Sequence, residues 1–152
     1  YLSLAFNLVH PARVERLLLA DTGPGFRRDD ARAQWNRMAA QQAVAFERHG
    51  LSSLPESPEV ALGNHDPTGL ALAARGILTQ RDARIIDALP AIDVPTLVVV
   101  GADDHAFLAA SDYLATKISG ATKVVLASAG HAANIDQPEA FNRAVLEFLD
   151  RD

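Results

Sequence analysis

Apolar and polar positions fall in blocks along this chain. Three short runs have an apolar centre: residues 14–21 (VERLLLAD), 96–104 (TLVVVGADD) and 122–128 (TKVVLAS). The first two end in turn residues, which suits buried parallel strands, and the third reads as a third strand. Around them the spacing is helical. Residues 1–9 put Leu4, Ala5 and Leu8 on one side, and Pro11 closes that helix. From about Phe26 to Leu89 the texture stays helical. Trp35, Met38, Ala39, Gln42 and Phe46 recur near helical spacing, and Gly50 ends the segment. LPESP and GNHDPTG are loop signals, while GLALAARGILTQ and RIIDALPAI read as two shorter helices. FLAASDYLATKIS is an amphipathic helix. A loop after residue 128 leads to a last helix over 137–149, with Pro138 and Glu139 at its start. Strand, helix, strand, loop, helix is the rhythm of a parallel α/β sheet. The helical middle interrupts it without adding a strand. The expected division is 1–25, 26–90 and 91–152.

Composition narrows the classes. A chain of 152 residues can bury one ordinary core, and 49% hydrophobic with 22% charged residues reads as globular and soluble. The net charge is −5 and no Lys/Arg cluster is present, which argues against nucleic-acid or membrane-surface partners. No apolar run approaches the roughly 20 residues that span a bilayer. With no cysteine, disulfides, thiol chemistry and cysteine metal sites are excluded. The five histidines are scattered without ligand spacing, so no metal site is expected. Tyr1 is not a start residue, and nothing near it resembles a signal peptide. The chain is read as beginning inside a domain, with a cytoplasmic location expected.

Two polar clusters follow strands, GADDHAF after the second and SAGHAAN after the third. Ligands of open parallel sheets bind beyond the carboxyl ends of the strands. An acid from the first cluster and the imidazole of His131 from the second can meet there. The carboxylate would accept a hydrogen bond from Nδ1–H and stabilise the imidazolium formed when Nε2 takes a proton.

With VERLLLADTGPGF, VPTLVVVGADD and AGHAANIDQPEAFNRAVLEFL in this order, the sequence resembles the C-terminal part of the α/β-hydrolase fold. The resemblance covers nearly the whole chain, with the helical middle standing where the family inserts its cap. Within the superfamily it looks most like 3-oxoadipate enol-lactonase and esterase-type hydrolases. The resemblance implies a nucleophile–acid–histidine order, with the acid at the fourth place of Gly-x-x-Asp, here Asp104, and the histidine at His131. It implies a small-molecule ester or lactone as substrate and no cofactor.

The family's nucleophile sits in Gly-x-Ser-x-Gly, and none of the seven serines has that glycine frame. The family pattern places the nucleophile about four residues before Tyr1, with the first strands and the oxyanion-hole loop further upstream. The expected partner is therefore the N-terminal half, on the same or a companion polypeptide. Without it, an open sheet edge is expected, the chain alone is expected to be inactive, and a homo-oligomer stays open. Dehalogenase, epoxide hydrolase, C–C hydrolase and haloperoxidase chemistry remain open, as does a silent interaction module.

Each assignment has a plainer rival. Asp103 rivals Asp104 as the acid. Asp21 also closes a strand, where some α/β-hydrolases carry their acid, but is read here as a turn residue before Thr22-Gly23-Pro24. Phe26, Trp35, Met38 and Phe107 are the substrate-contacting candidates. Trp35, Met38 and Phe46 equally suit packing of the cap helix. His10, His49, His65 and His105 read as surface or loop residues, and Asp66 as the cap of the helix near Pro67.

Overall fold

The computed structural model describes residues 1–54 and 65–150. Most of the LPESP loop signal, Ser57 and the first residues of GNHDPTG lie outside the described residues. The chain packs as two units, Tyr1–Pro24 with Ile85–Asp152, and Gly25–Arg84.

The first unit is built on three parallel strands, β1 (Leu17–Ala20), β2 (Thr96–Gly101) and β3 (Thr122–Leu126), in the order β1-β2-β3. Leu17 pairs with Thr96 and Leu97 with Thr122. β2 is buried at every position, as its unbroken TLVVVG run requires of a parallel strand covered on both faces. β3 is less apolar because Lys123 and Val125 face outward.

One face of β2 carries Leu97 and Val99 into a core with Leu126, Ala129, Ala133 and Phe148. The last helix, α7 (Pro138–Leu149), closes that core. Its Phe141, Val145 and Phe148 recur at helical spacing, and Pro138 fits its first turn. Full burial of a side chain such as Phe148 contributes about 1.5–3 kcal/mol. Val98 and Val100 point the opposite way by the strand period and are also fully buried. Helix α5 (Leu108–Lys117) lies against β2 and β3, with Leu114 and Ile118 buried. At the N-terminus, α1 (Leu2–Val9) buries Leu4 and Asn7. The expected loop after residue 128 contains a short helical turn, α6 (Ala133–Asp136).

In the second unit, α2 (Asp29–His49) starts with two acidic residues and ends with Arg48 and His49, which complements its dipole. Gly50 ends it at φ +59°, a conformation glycine adopts without strain. Helix α3 (Pro67–Gly76) begins as expected at Asp66, whose carboxylate accepts from the N–H groups of Thr68 (3.2 Å) and Gly69 (2.8 Å). The two helices meet through Ala43, Phe46, Ala71 and Ala74. The small side chains allow close approach. Buried Gln80 ties this unit together: its Oε1 accepts from Phe26 N–H at 3.0 Å, and its backbone exchanges two 2.8 Å hydrogen bonds with the Asn36 amide. Helix α4 (Arg84–Ala88) and a 3₁₀ turn (Leu89–Ala91) lead into β2.

Candidate active site

The two loops beyond the C-terminal ends of β2 and β3 are stitched together by backbone. Ala102 N–H donates to Leu126 C=O at 2.8 Å, and Asp103 N–H to Ala129 C=O at 2.9 Å. Asp104 then turns inward. Its carboxylate is almost wholly buried, and its Oδ2 lies 2.9 Å from Nδ1 of His131. A carboxylate only accepts, so Nδ1 carries the proton and Nε2 is left as the basic nitrogen. The imidazole is 57% exposed while the carboxylate is 5% exposed. One group is therefore held and the other is open to a reactant. Phe107 stacks on the imidazole, with ring centroids 4.9 Å apart and 24° between the planes.

Two further carboxylates hold the histidine loop. Asp136 Oδ2 accepts from Gly130 N–H at 2.7 Å, just before His131. Asp21, at the end of β1, accepts from Gly101 N–H through Oδ1 (2.9 Å) and from Ala133 N–H through Oδ2 (3.3 Å). Asp21 stands at the bend after β1, as the sequence suggested, and its side chain has this further role. It sits at φ +43°, but its side chain is buried between the acid loop and the histidine loop. Burial holds its carboxyl above the usual carboxylate range. The two N–H groups offset part of this, Asp104 adds to it, and His131 opposes it.

The structure brings Asp104, His131 and Phe107 together. Asp103, the rival acid, is exposed and enters through its backbone N–H. Phe26, Trp35 and Met38 belong to the second unit. Phe26 and Trp35 lie 5.9 Å apart as tilted rings, and Trp35 Nε1–H donates to Leu78 C=O at 2.7 Å. Met38 is exposed, and the buried positions of α2 are Ala39, Ala43 and Phe46. Asp136 was missed by sequence reading, and no local pattern marks it. The signal for Asp21 was its position, since it ends an apolar strand at the same sheet edge as the other two clusters. A concavity of about 750 Å³ lies elsewhere on this unit, lined by Leu2, Phe6, Val14, Leu17 and Leu149 among others. Among the described residues, no group of three or more His, Asp or Glu is placed to hold a metal ion, and no helix is long and apolar enough to cross a membrane.

Comparison with known proteins puts this geometry in context. A family model described as "Alpha/beta hydrolase family" matches residues 2–144. The structure of MenH from S. aureus is similar at a TM-score of 0.85 and 20% identity, covering 97% of this chain and 63% of that one. A thermophilic esterase from Thermogutta terrifontis is similar at 0.76 and 28% identity, covering 98% of this chain and 60% of that one. The enol-lactonase from Burkholderia xenovorans LB400 is similar at 0.77 and 26% identity, covering 98% and 61% respectively. The chain also spans 61% of the length of a curated relative from Bacillus subtilis, at 24% identity.

Proposed function

We propose that this chain, which belongs to the alpha/beta hydrolase family, supplies the acid and the base of a site that hydrolyses carboxylic esters or lactones. The observation that carries this reading is the buried Asp104 carboxylate 2.9 Å from Nδ1 of a half-open His131. The similarity to an esterase and an enol-lactonase supports the substrate class.

A serine outside this chain attacks the substrate carbonyl, and Nε2 of His131 takes its proton. Asp104 keeps the proton on Nδ1 and stabilises the imidazolium. The imidazolium protonates the leaving alkoxide, so the alcohol departs and an acyl-serine remains. Water then attacks that ester, giving its proton to Nε2. Collapse of the second tetrahedral intermediate releases the acid and returns the proton to the serine. Phe107, stacked on the imidazole, braces it during both transfers.

The test is hydrolysis of p-nitrophenyl acetate by the complete polypeptide that carries this chain. His131→Ala is expected to lower kcat/KM at least about 100-fold, the range of general acid–base catalysis. Undiminished hydrolysis by that variant overturns the reading.

A further inference from the structure

We propose that Asp21 is a positioning residue that sets the Asp104–His131 geometry by clamping the two loops that carry them. This rests on the reading of His131 as the base. The Gly101 N–H that binds Oδ1 lies three residues before Asp104, and the Ala133 N–H that binds Oδ2 lies two residues after His131. One rigid carboxylate therefore spans the acid and the base from a third strand. Its own position is tightly set: Asp21 N–H donates to Val99 C=O at 2.9 Å, which continues the β1–β2 ladder.

A turn alone does not need this residue. A turn carboxylate ordinarily stays in water, whereas Asp21 is only 9% exposed. Both of its hydrogen bonds go to backbone N–H groups that would otherwise be buried without a partner, a costly state. Its φ of +43° lies where glycine is more comfortable. Burial of charge and an unfavourable backbone are both borne at a point that touches both loops. With Asp136 on Gly130, the histidine is pinned on each side. Asp136 anchors the loop to its own helix, and Asp21 adds a side-chain anchor to the strand that leads to Asp104, beside the backbone bond from Asp103 N–H to Ala129 C=O.

Catalysis depends steeply on such placement, since a misplacement of about 1 Å costs about 100-fold. Two variants separate positioning from folding. Asp21→Asn keeps an oxygen for Gly101 N–H but faces Ala133 N–H with a second donor. Asp21→Gly removes both hydrogen bonds while relieving the backbone. Activity toward p-nitrophenyl acetate is measured per folded molecule in the complete polypeptide, beside His131→Ala. The core truncation Ile118→Val serves as a control for lost stability.

The expected result is graded. kcat falls about 10-fold for Asp21→Asn and about 100-fold for Asp21→Gly, with KM within twofold and the Ile118→Val control unchanged. If His131→Ala is inactive but Asp21→Gly keeps wild-type kcat, the clamp is wrong and the base assignment stands. If the kcat loss of both Asp21 variants is matched by the Ile118→Val control, the carboxylate is structural only. If His131→Ala remains active, the functional reading itself fails.

Discussion

Gly101 lies so close to Ala129 that a Cβ on it would stand 2.3 Å from the Ala129 carbonyl oxygen and 2.3 Å from that of Gly130. Both are backbone atoms of the loop that carries His131, so no side chain can rotate away to make room. Gly101→Ala must therefore push that loop off the end of β2. Overpacking of this kind costs about 1–3 kcal/mol, and the upper end is expected here. Urea unfolding checks the stability, and p-nitrophenyl acetate hydrolysis checks the site. An unchanged midpoint would mean that the loops can separate freely.

Asp104→Asn changes little in volume but replaces the acceptor-only carboxylate that keeps the proton on Nδ1 with a neutral amide that offers a donor as well as an acceptor. The amide can present its NH2 to Nδ1, which leaves the proton on Nε2 and removes the base. kcat is expected to fall about 10⁴-fold with the fold retained. Steady-state kinetics with a circular-dichroism melt would check both. A loss of less than about tenfold would move the acid role to another carboxylate.

Asp21 makes stability depend on pH in an unusual direction. Burial raises its folded-state pKa above the ordinary 3.8, so the native chain holds more protons than the unfolded chain in the interval just above that value. By linkage, its contribution to stability is largest below 3.8, declines as pH rises through the raised value, and is flat above it. Asp21→Asn lacks this dependence. The stability of the wild type relative to that variant should therefore shrink from acid toward neutral pH. Paired urea titrations across the interval would show it, and a difference that grows with pH would contradict the shift.

Asp66 caps α3 through two backbone N–H groups, and its removal should be felt only locally. Asp66→Ala is expected to destabilise that helix by about 1 kcal/mol. Amide exchange over residues 68–76 should quicken while the amides of β2 keep their protection. Equal loss of protection in both units would show that they unfold together.

Much of the architecture was legible because its causes are local. A strand buried on both faces must be apolar along its length, so β2 announces itself in TLVVVG. Pro138, Gly50 and Asp66 act on the backbone beside them, and the helices start or stop there. The helical phase of α2 was harder to read. Size suggested Trp35, Met38 and Phe46 as its packing face; Phe46 is buried, but beside Ala39 and Ala43, while Met38 is exposed. Small residues mark where another helix comes close, and only the partner helix reveals that.

The chain by itself determined three apolar strands, their order with the helices, and polar clusters at the strand ends, because hydrophobic pattern and turn chemistry act over a few residues. Tertiary structure decided which of those polar groups meet. Asp104 and His131 are 27 residues apart in sequence and 2.9 Å apart in space. That distance depends on the parallel register of β2 and β3 and on a glycine with no room for a side chain. The burial of Asp21 was likewise decided by its neighbours. A carboxylate at the end of a strand is a turn residue in water, and becomes a clamp only when two loops from distant parts of the chain close over it.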